Sequence, residues 1–275
     1  MANVTTTQPK FSVAISSPGY QKLINDTLGN KEVARRFVAE ISTVVSQNYQ
    51  LQKCDAASIL SAGLTAQTLN LPLAPTLGFS YVVPYGDKAQ FQIGWKGLVQ
   101  LAQRSGQFER LGVRPVHEGE YLGQDEFGDD LFKFSHEFDN NKVVGYYAYF
   151  KLLNGFKKTM YWTVEQCEQH GKKYSKSFNN LWKSSFDAMA QKTVLKLLLN
   201  RYAPLSIEMQ KAIQADQAVI NEDGSYSYVD NPNYVEQTPT KGKKTTVTNT
   251  IEVEEETTSE VSEFDAYISD TETLV

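Results

Sequence analysis

The 275-residue chain has only two cysteines, Cys54 and Cys167, and three histidines. Two cysteines are too few for a disulfide framework, and in a reducing compartment each is expected to act as a small buried hydrophobe. The same scarcity makes a four-ligand zinc site hard to assemble. Cys167 and His170 share a helical spacing, which a core position and a helix end explain well enough. No apolar run approaches the roughly 18 residues of a membrane helix, and the start MANVTTTQPK lacks the basic-then-apolar order of a signal peptide. A soluble, cytoplasmic protein with no membrane partner is expected.

Motifs are missing too. No G-x-x-x-x-G-K-[ST] occurs, which argues against ATP-driven chemistry through a P-loop. H-E-x-x-H is absent. His117 heads HEGE, an H-x-G where a zinc deaminase needs H-x-E, and no C-x-x-C follows. Asp125, Glu126, Asp129 and Asp130 cluster around Gly128 as a metal-dependent nuclease would require. However, E-x-K is missing throughout, and a solvated loop explains the cluster as well. No metal, no cofactor and no covalent catalytic site are expected.

What is present is unevenly distributed charge. Residues 216–275 hold 14 acidic and 3 basic residues, leaving 24 basic against 18 acidic in the rest. The net charge of −5 therefore conceals a body at +6, which suggests an anionic partner.

The pattern along the chain predicts an α+β fold. Residues 1–19 are rich in Thr, Ser, Pro and Gly with few large apolar groups and are expected to be flexible. A helical part follows, with Asn30 and Asp55 as N-caps. FSYVVPY and KAQFQI are expected to form a hairpin turning at Gly86-Asp87, of the II′ type that takes glycine first. LGVRPVHE, KVVGYYAYFKLL and FKKTMYWT continue an antiparallel core, the last two joined at Asn154-Gly155. Helical period returns in TVEQCEQH, in NLWKSSFDAMAQKTVLKLLLNRY and in SIEMQKAIQADQAV. This makes residues 20–219 one domain with helices packed on the β core. Residues 220–275, dominated by Thr, Glu, Asn and Asp, are expected to form a disordered acidic tail. No internal repeat is visible.

Two segments combine cations with aromatic rings. In QFQIGWKGLVQLAQRSGQF, a helix starting near Gly94 turns Trp95, Leu98, Leu101 and Ala102 largely inward, and Lys96, Gln100, Gln103 and Arg104 share the other side. Glycine before a helix leaves free N–H groups that suit phosphate and lets another backbone come close. An ordinary amphipathic surface helix would explain the stripe equally well. Gly94-Trp95-Lys96-Gly97 also fits the GXXG of KH domains, but that loop joins two helices. The second segment, residues 151–202, has 10 basic residues against 3 acidic, among them Lys158, Lys172, Lys173, Lys176, Lys183, Lys192 and Lys196, interleaved with eight aromatics. Cations mixed with ring faces suit single-stranded nucleic acid.

Three stretches resemble the phage RecT-type single-strand annealing proteins, distant relatives of Redβ. They are LPLAPTLGFSYVVPYGDKAQFQIGWKGLVQLAQRSGQF, VVGYYAYFKLLNGFKKTMYWT, and DAMAQKTVLKLLL followed by LSIEMQKA. The resemblance runs from about Asp55 to about Lys211. It implies ATP-independent binding of single-stranded DNA, pairing of complementary strands into annealed duplex, and self-assembly into a ring or helical filament. A phage exonuclease and a host single-strand binding protein are the implied partners. The expected DNA groove comprises Gln90, Gln92, Trp95, Lys96, Gln100 and Arg104 with the seven lysines just named. Trp95 stands where many relatives carry tyrosine, and Lys196 where they usually carry arginine, so a point charge replaces a bidentate fork. An RNA or single-strand binding module without annealing, or a metal-dependent nuclease, are the alternative functions.

Overall fold

The computed structural model describes residues 10–128, 130–175, 178–220 and 225–227. Most of the expected acidic tail lies outside these residues, as do residues 1–9.

Regular structure begins earlier than Tyr20. One helical turn, α1 (Phe11–Ala14), leads into α2 (Pro18–Leu28), and Phe11, Ile15 and Ile24 are buried. Three apolar side chains within fourteen residues suffice to fix a segment whose Ser, Pro and Gly content looked mobile. Gly29 ends α2 in the left-handed region at φ 64°. The oxygen of Asn30 then accepts from the N–H groups of Glu32 and Val33 and starts α3 (Lys31–Ser46), which buries Ala34, Phe37, Ile41, Val44 and Val45. Asp55 caps α4 (Ala56–Thr68) through the N–H of Ser58.

The hairpin forms as its turn residues predict. β1 (Ser80–Tyr85) pairs antiparallel with β2 (Lys88–Ile93), and Gly86 takes φ 61°. Gly94 precedes α5 (Trp95–Arg104), whose Leu98, Leu101 and Ala102 are buried. Burial of each leucine contributes about 1.5–3 kcal/mol and sets which side of α5 faces out.

A second sheet runs in the order β3 (Phe108–His117), β6 (Val143–Leu152), β7 (Lys157–Thr163), all antiparallel. Between β3 and β6 the chain makes a small hairpin, β4 (Tyr121–Gln124) with β5 (Asp130–Phe132). Alternate residues of β6 point to opposite faces. Tyr146, Ala148, Phe150 and Leu152 are buried, whereas Tyr147 and Tyr149 lie on the other face with their rings stacked, and Phe132 of the small hairpin lies 4.6 Å from Tyr147.

Thr163 and Gln166 form a reciprocal capping box that opens α6 (Val164–Tyr174). Helical period across residues 180–202 suggested one continuous helix, but the chain makes a π-turn (Phe178–Trp182) before α7 (Phe186–Tyr202). The rings of Phe178 and Trp182 pack on Gly171, where an added Cβ would meet the Trp182 ring at 2.8 Å. Sequence period does not report a bulge driven by packing. α7 lies against β3, β6, β7 and α5, and Tyr146 donates from its hydroxyl to Asp187 in its first turn.

Ser206 caps α8 (Ile207–Ala215). The chain then runs beside β2, where the N–H of Gln217 donates to the Phe91 carbonyl at 2.9 Å and Ala218 bridges Phe91. Past the expected boundary at 219, β8 (Val219–Ile220) pairs with β9 (Tyr226–Ser227). The outer edge of β2 is met at Phe91 by this segment. The result is the expected α+β architecture of antiparallel sheets with packed helices.

Candidate nucleic-acid interface

The glycines around Lys96 answer first to the chain's own backbone. A Cβ on Gly94 would lie 2.1 Å from the Gly78 carbonyl oxygen, and one on Gly97 would lie 2.2 Å from that of Phe79. The N–H of Gly94 donates to the Phe79 carbonyl at 2.9 Å. The 78–79 strand lead-in thus lies directly on the start of α5. This contact holds Lys96 at the surface, its ammonium 5.8 Å from the half-buried Trp95 ring, which also packs on the core.

The remaining residues of that segment separate into two groups. Gln103 is exposed and Gln100 half-buried, but Gln90 and Gln92 are 0% and 5% exposed and cannot wall a groove on this surface. β2 is covered on both faces and along one edge, so alternation along the strand did not give the expected solvent-facing glutamines. The buried amide of Gln90 has no hydrogen-bond partner among the described residues. Arg104 is exposed but committed, its guanidinium donating to the carbonyls of Leu69 and Asn70 at 2.8 Å each. It closes the C-terminal end of α4, whose last carbonyls lack helical partners.

The later lysines divide in the same way. Lys192 is 6% exposed, and its ammonium donates to the Asp216 carboxylate at 2.7 Å. A lysine so buried and paired is a structural ion, which corrects its assignment to the groove. Asp216 also accepts from Lys196 at 2.6 Å and from the N–H of Ile93 at 3.1 Å. Burial works against its charge, but the two ammoniums outweigh burial and hold this carboxyl below the usual carboxylate range. Asp216 had been counted with the C-terminal acidic charge; here it is the counter-ion of the body.

Through Asp216, Lys196 is tied to the strand end that leads into Gly94, and its side chain remains 26% exposed. On the neighbouring α6, the pKa of His170 is lowered by burial and then by the charges of Lys196 and Lys173. His170 lies 5.3 Å from the Trp162 ring and 4.6 Å from the Tyr174 ring. Tyr174 is exposed and Lys173 stands 5.1 Å over it. Trp162, His170, Tyr174 and Lys173 thus form one connected group on β7 and α6, and α6 packs on the α7 that carries Lys196. Trp162 and Tyr174 are among the eight aromatics of the second segment, whereas His170 had not been singled out for this group, although its i, i+4 spacing to Tyr174 was a usable signal.

Lys172 pairs with Glu168 at 2.7 Å, and Lys183 is exposed just before α7. Half-buried Lys158 lies 5.7 Å from the Tyr202 ring. Lys176 lies outside the described residues. Both cysteines are buried, and burial pushes the Cys167 thiol up to about 12.

The acidic cluster is occupied with turn formation. Asp125 accepts from the N–H of Phe127, and Asp130 from Tyr121 and Gln124. Asp129 lies outside the described residues, among which no group of three or more His, Cys, Asp or Glu is placed to hold a metal. No described helix is long and apolar enough to cross a membrane.

Comparison with known proteins gives three matches. The profile of the RecT family matches residues 35–230. The uncharacterized protein YqaK of Bacillus subtilis (strain 168) is 43% identical over 216 residues, covering 78% of this chain and 73% of YqaK. Protein RecT of Escherichia coli (strain K12) is 31% identical over 239 residues, covering 79% of this chain and 87% of that protein.

Proposed function

The chain belongs to the RecT family, and from that premise we propose that it binds single-stranded DNA and anneals complementary strands without ATP. It does so as a homo-oligomer, ring or filament, beside an exonuclease that exposes the strand and a host protein that coats it. Family membership supports a part in recombination by strand annealing. The observation that carries the reading to residues is the group around the α5 start. Lys96 lies there beside the Trp95 ring, Asp216 ties Lys196 of α7 to the end of β2 that leads into α5, and α6, packed on α7, adds Lys173 and Tyr174 with the Trp162 ring nearby.

Annealing must accept any sequence. Cations on phosphate position a strand without reading it, which leaves base edges free to test a second strand. Rings add sequence-tolerant stacking. Watson–Crick pairing then supplies specificity, and an ordered row of subunits replaces a search between two flexible coils. The exposed Lys183 and Lys172 and the half-buried Lys158 and Gln100 are further candidate contacts.

The test is annealing of complementary oligonucleotides by the full chain in the absence of nucleotide. Acceleration over the protein-free rate supports the proposal. No acceleration, together with preferred binding of RNA, would favour an RNA-binding module instead.

A further inference from the structure

The most exposed large apolar side chain among the described residues is Phe127, at 83%. It sits in the turn between β4 and β5, with Leu122 and Leu131 of the same hairpin 61% and 44% exposed. Single exposed hydrophobes are ordinary, but a ring flanked by two leucines on a projecting hairpin is a contact surface in search of a cover. The surrounding charge is one-sided: residues 118–139 hold eight acidic residues and one lysine.

The opposite character appears on the N-terminal helices. Residues 10–38 hold five basic residues and two acidic. Between α2 and α3 is a groove of about 330 Å³ lined by Gln21, Asn25, Lys31, Ala34, Arg35 and Val38. Ala34 and Val38 give it an apolar part, and the exposed Lys31 and Arg35 line it with positive charge. An aromatic ring with an adjacent carboxylate suits such a site, and Phe127 follows the exposed Glu126 directly.

We propose that the β4–β5 hairpin of one copy docks in the α2–α3 groove of the next, with Phe127 in the groove and Glu126 facing Lys31 and Arg35. The contact joins two different faces of the chain, so it is heterologous and propagates to a ring or an open filament. The inference rests on the proposed self-association and adds the surface through which it occurs.

Phe127→Ser and Arg35→Glu each change an exposed residue, so circular dichroism and melting should match the wild type. Mass photometry of each full-length variant should show monomers where the wild type assembles. Mixing the two variants is the sharper test. The first retains an intact groove and the second an intact hairpin, so one competent contact remains per pair, and the mixture should stop at dimers. If either variant assembles like the wild type, or the mixture forms no dimers, the docking is wrong while self-association stands. If the wild type remains monomeric even with long single strands, self-association falls and the docking with it. If Arg35→Glu assembles normally but loses affinity for a short oligonucleotide, the groove is a phosphate site and the docking is overturned.

Discussion

Four cations that looked alike in the sequence have different roles once their partners are known. Lys96 is exposed beside a ring, Arg104 clamps two carbonyls, Lys192 is buried on a carboxylate, and Lys196 is half committed. Residue type was legible, but the partners were not, because they lie 35 residues before Arg104 and 24 after Lys192. The distinction can be measured. For single strands log K falls with log salt by about 0.7 per phosphate neutralised, so Lys96→Ala should flatten that slope by up to about 0.7. Arg104→Ala should leave the slope unchanged and lower Tm by a few degrees, since it loses the clamp on α4 rather than a phosphate. Fluorescence anisotropy at several salt concentrations, beside calorimetry, reads both. A flattened slope for Arg104→Ala with unchanged Tm would return that residue to the groove.

At the scale of elements, local chemistry was read well and crossings poorly. Asn30 and Asp55 cap their helices, and Gly86 and Asn154-Gly155 turn their hairpins, because caps and turns are decided by residues a few positions apart. The buried faces of β2 and the π-turn before α7 depend on what packs from far along the chain. The glycines of the Gly-Trp-Lys-Gly run fall between these cases. Close backbone approach was foreseen, but the approaching backbone is Gly78 and Phe79. Gly97→Ala therefore pushes two elements apart and should cost roughly 1–3 kcal/mol. Thermal melting should fall first, with annealing lost only in proportion to unfolding. Loss of annealing at unchanged Tm would mean that the glycine serves the ligand instead.

Across the whole molecule, the half-buried His170 and the buried Asp216 determine how the fold meets acid. His170 has a lowered pKa in the fold, so the fold favours its neutral form, and that stability shrinks as pH falls below its unfolded value of about 6.5. Asp216 also has a lowered pKa. Its contribution is complete above the unfolded value of about 3.9 and is lost as pH falls through the folded value. Melting temperature should therefore decline in two stages on acidification. His170→Phe should remove the first stage, and an unchanged profile in that variant would exclude His170 as its cause. Asp216 also determines where the chain tolerates being shortened. A stop after Ser227 keeps the carboxylate, and the protein should fold and melt nearly as the full chain does. A stop after Ala215 removes it along with the Gln217 and Ala218 contacts to Phe91, leaving the Lys192 and Lys196 ammoniums without their shared acid. Twelve residues then separate a working fragment from an insoluble one, and the basic body carries its own last turn of acid as part of its core.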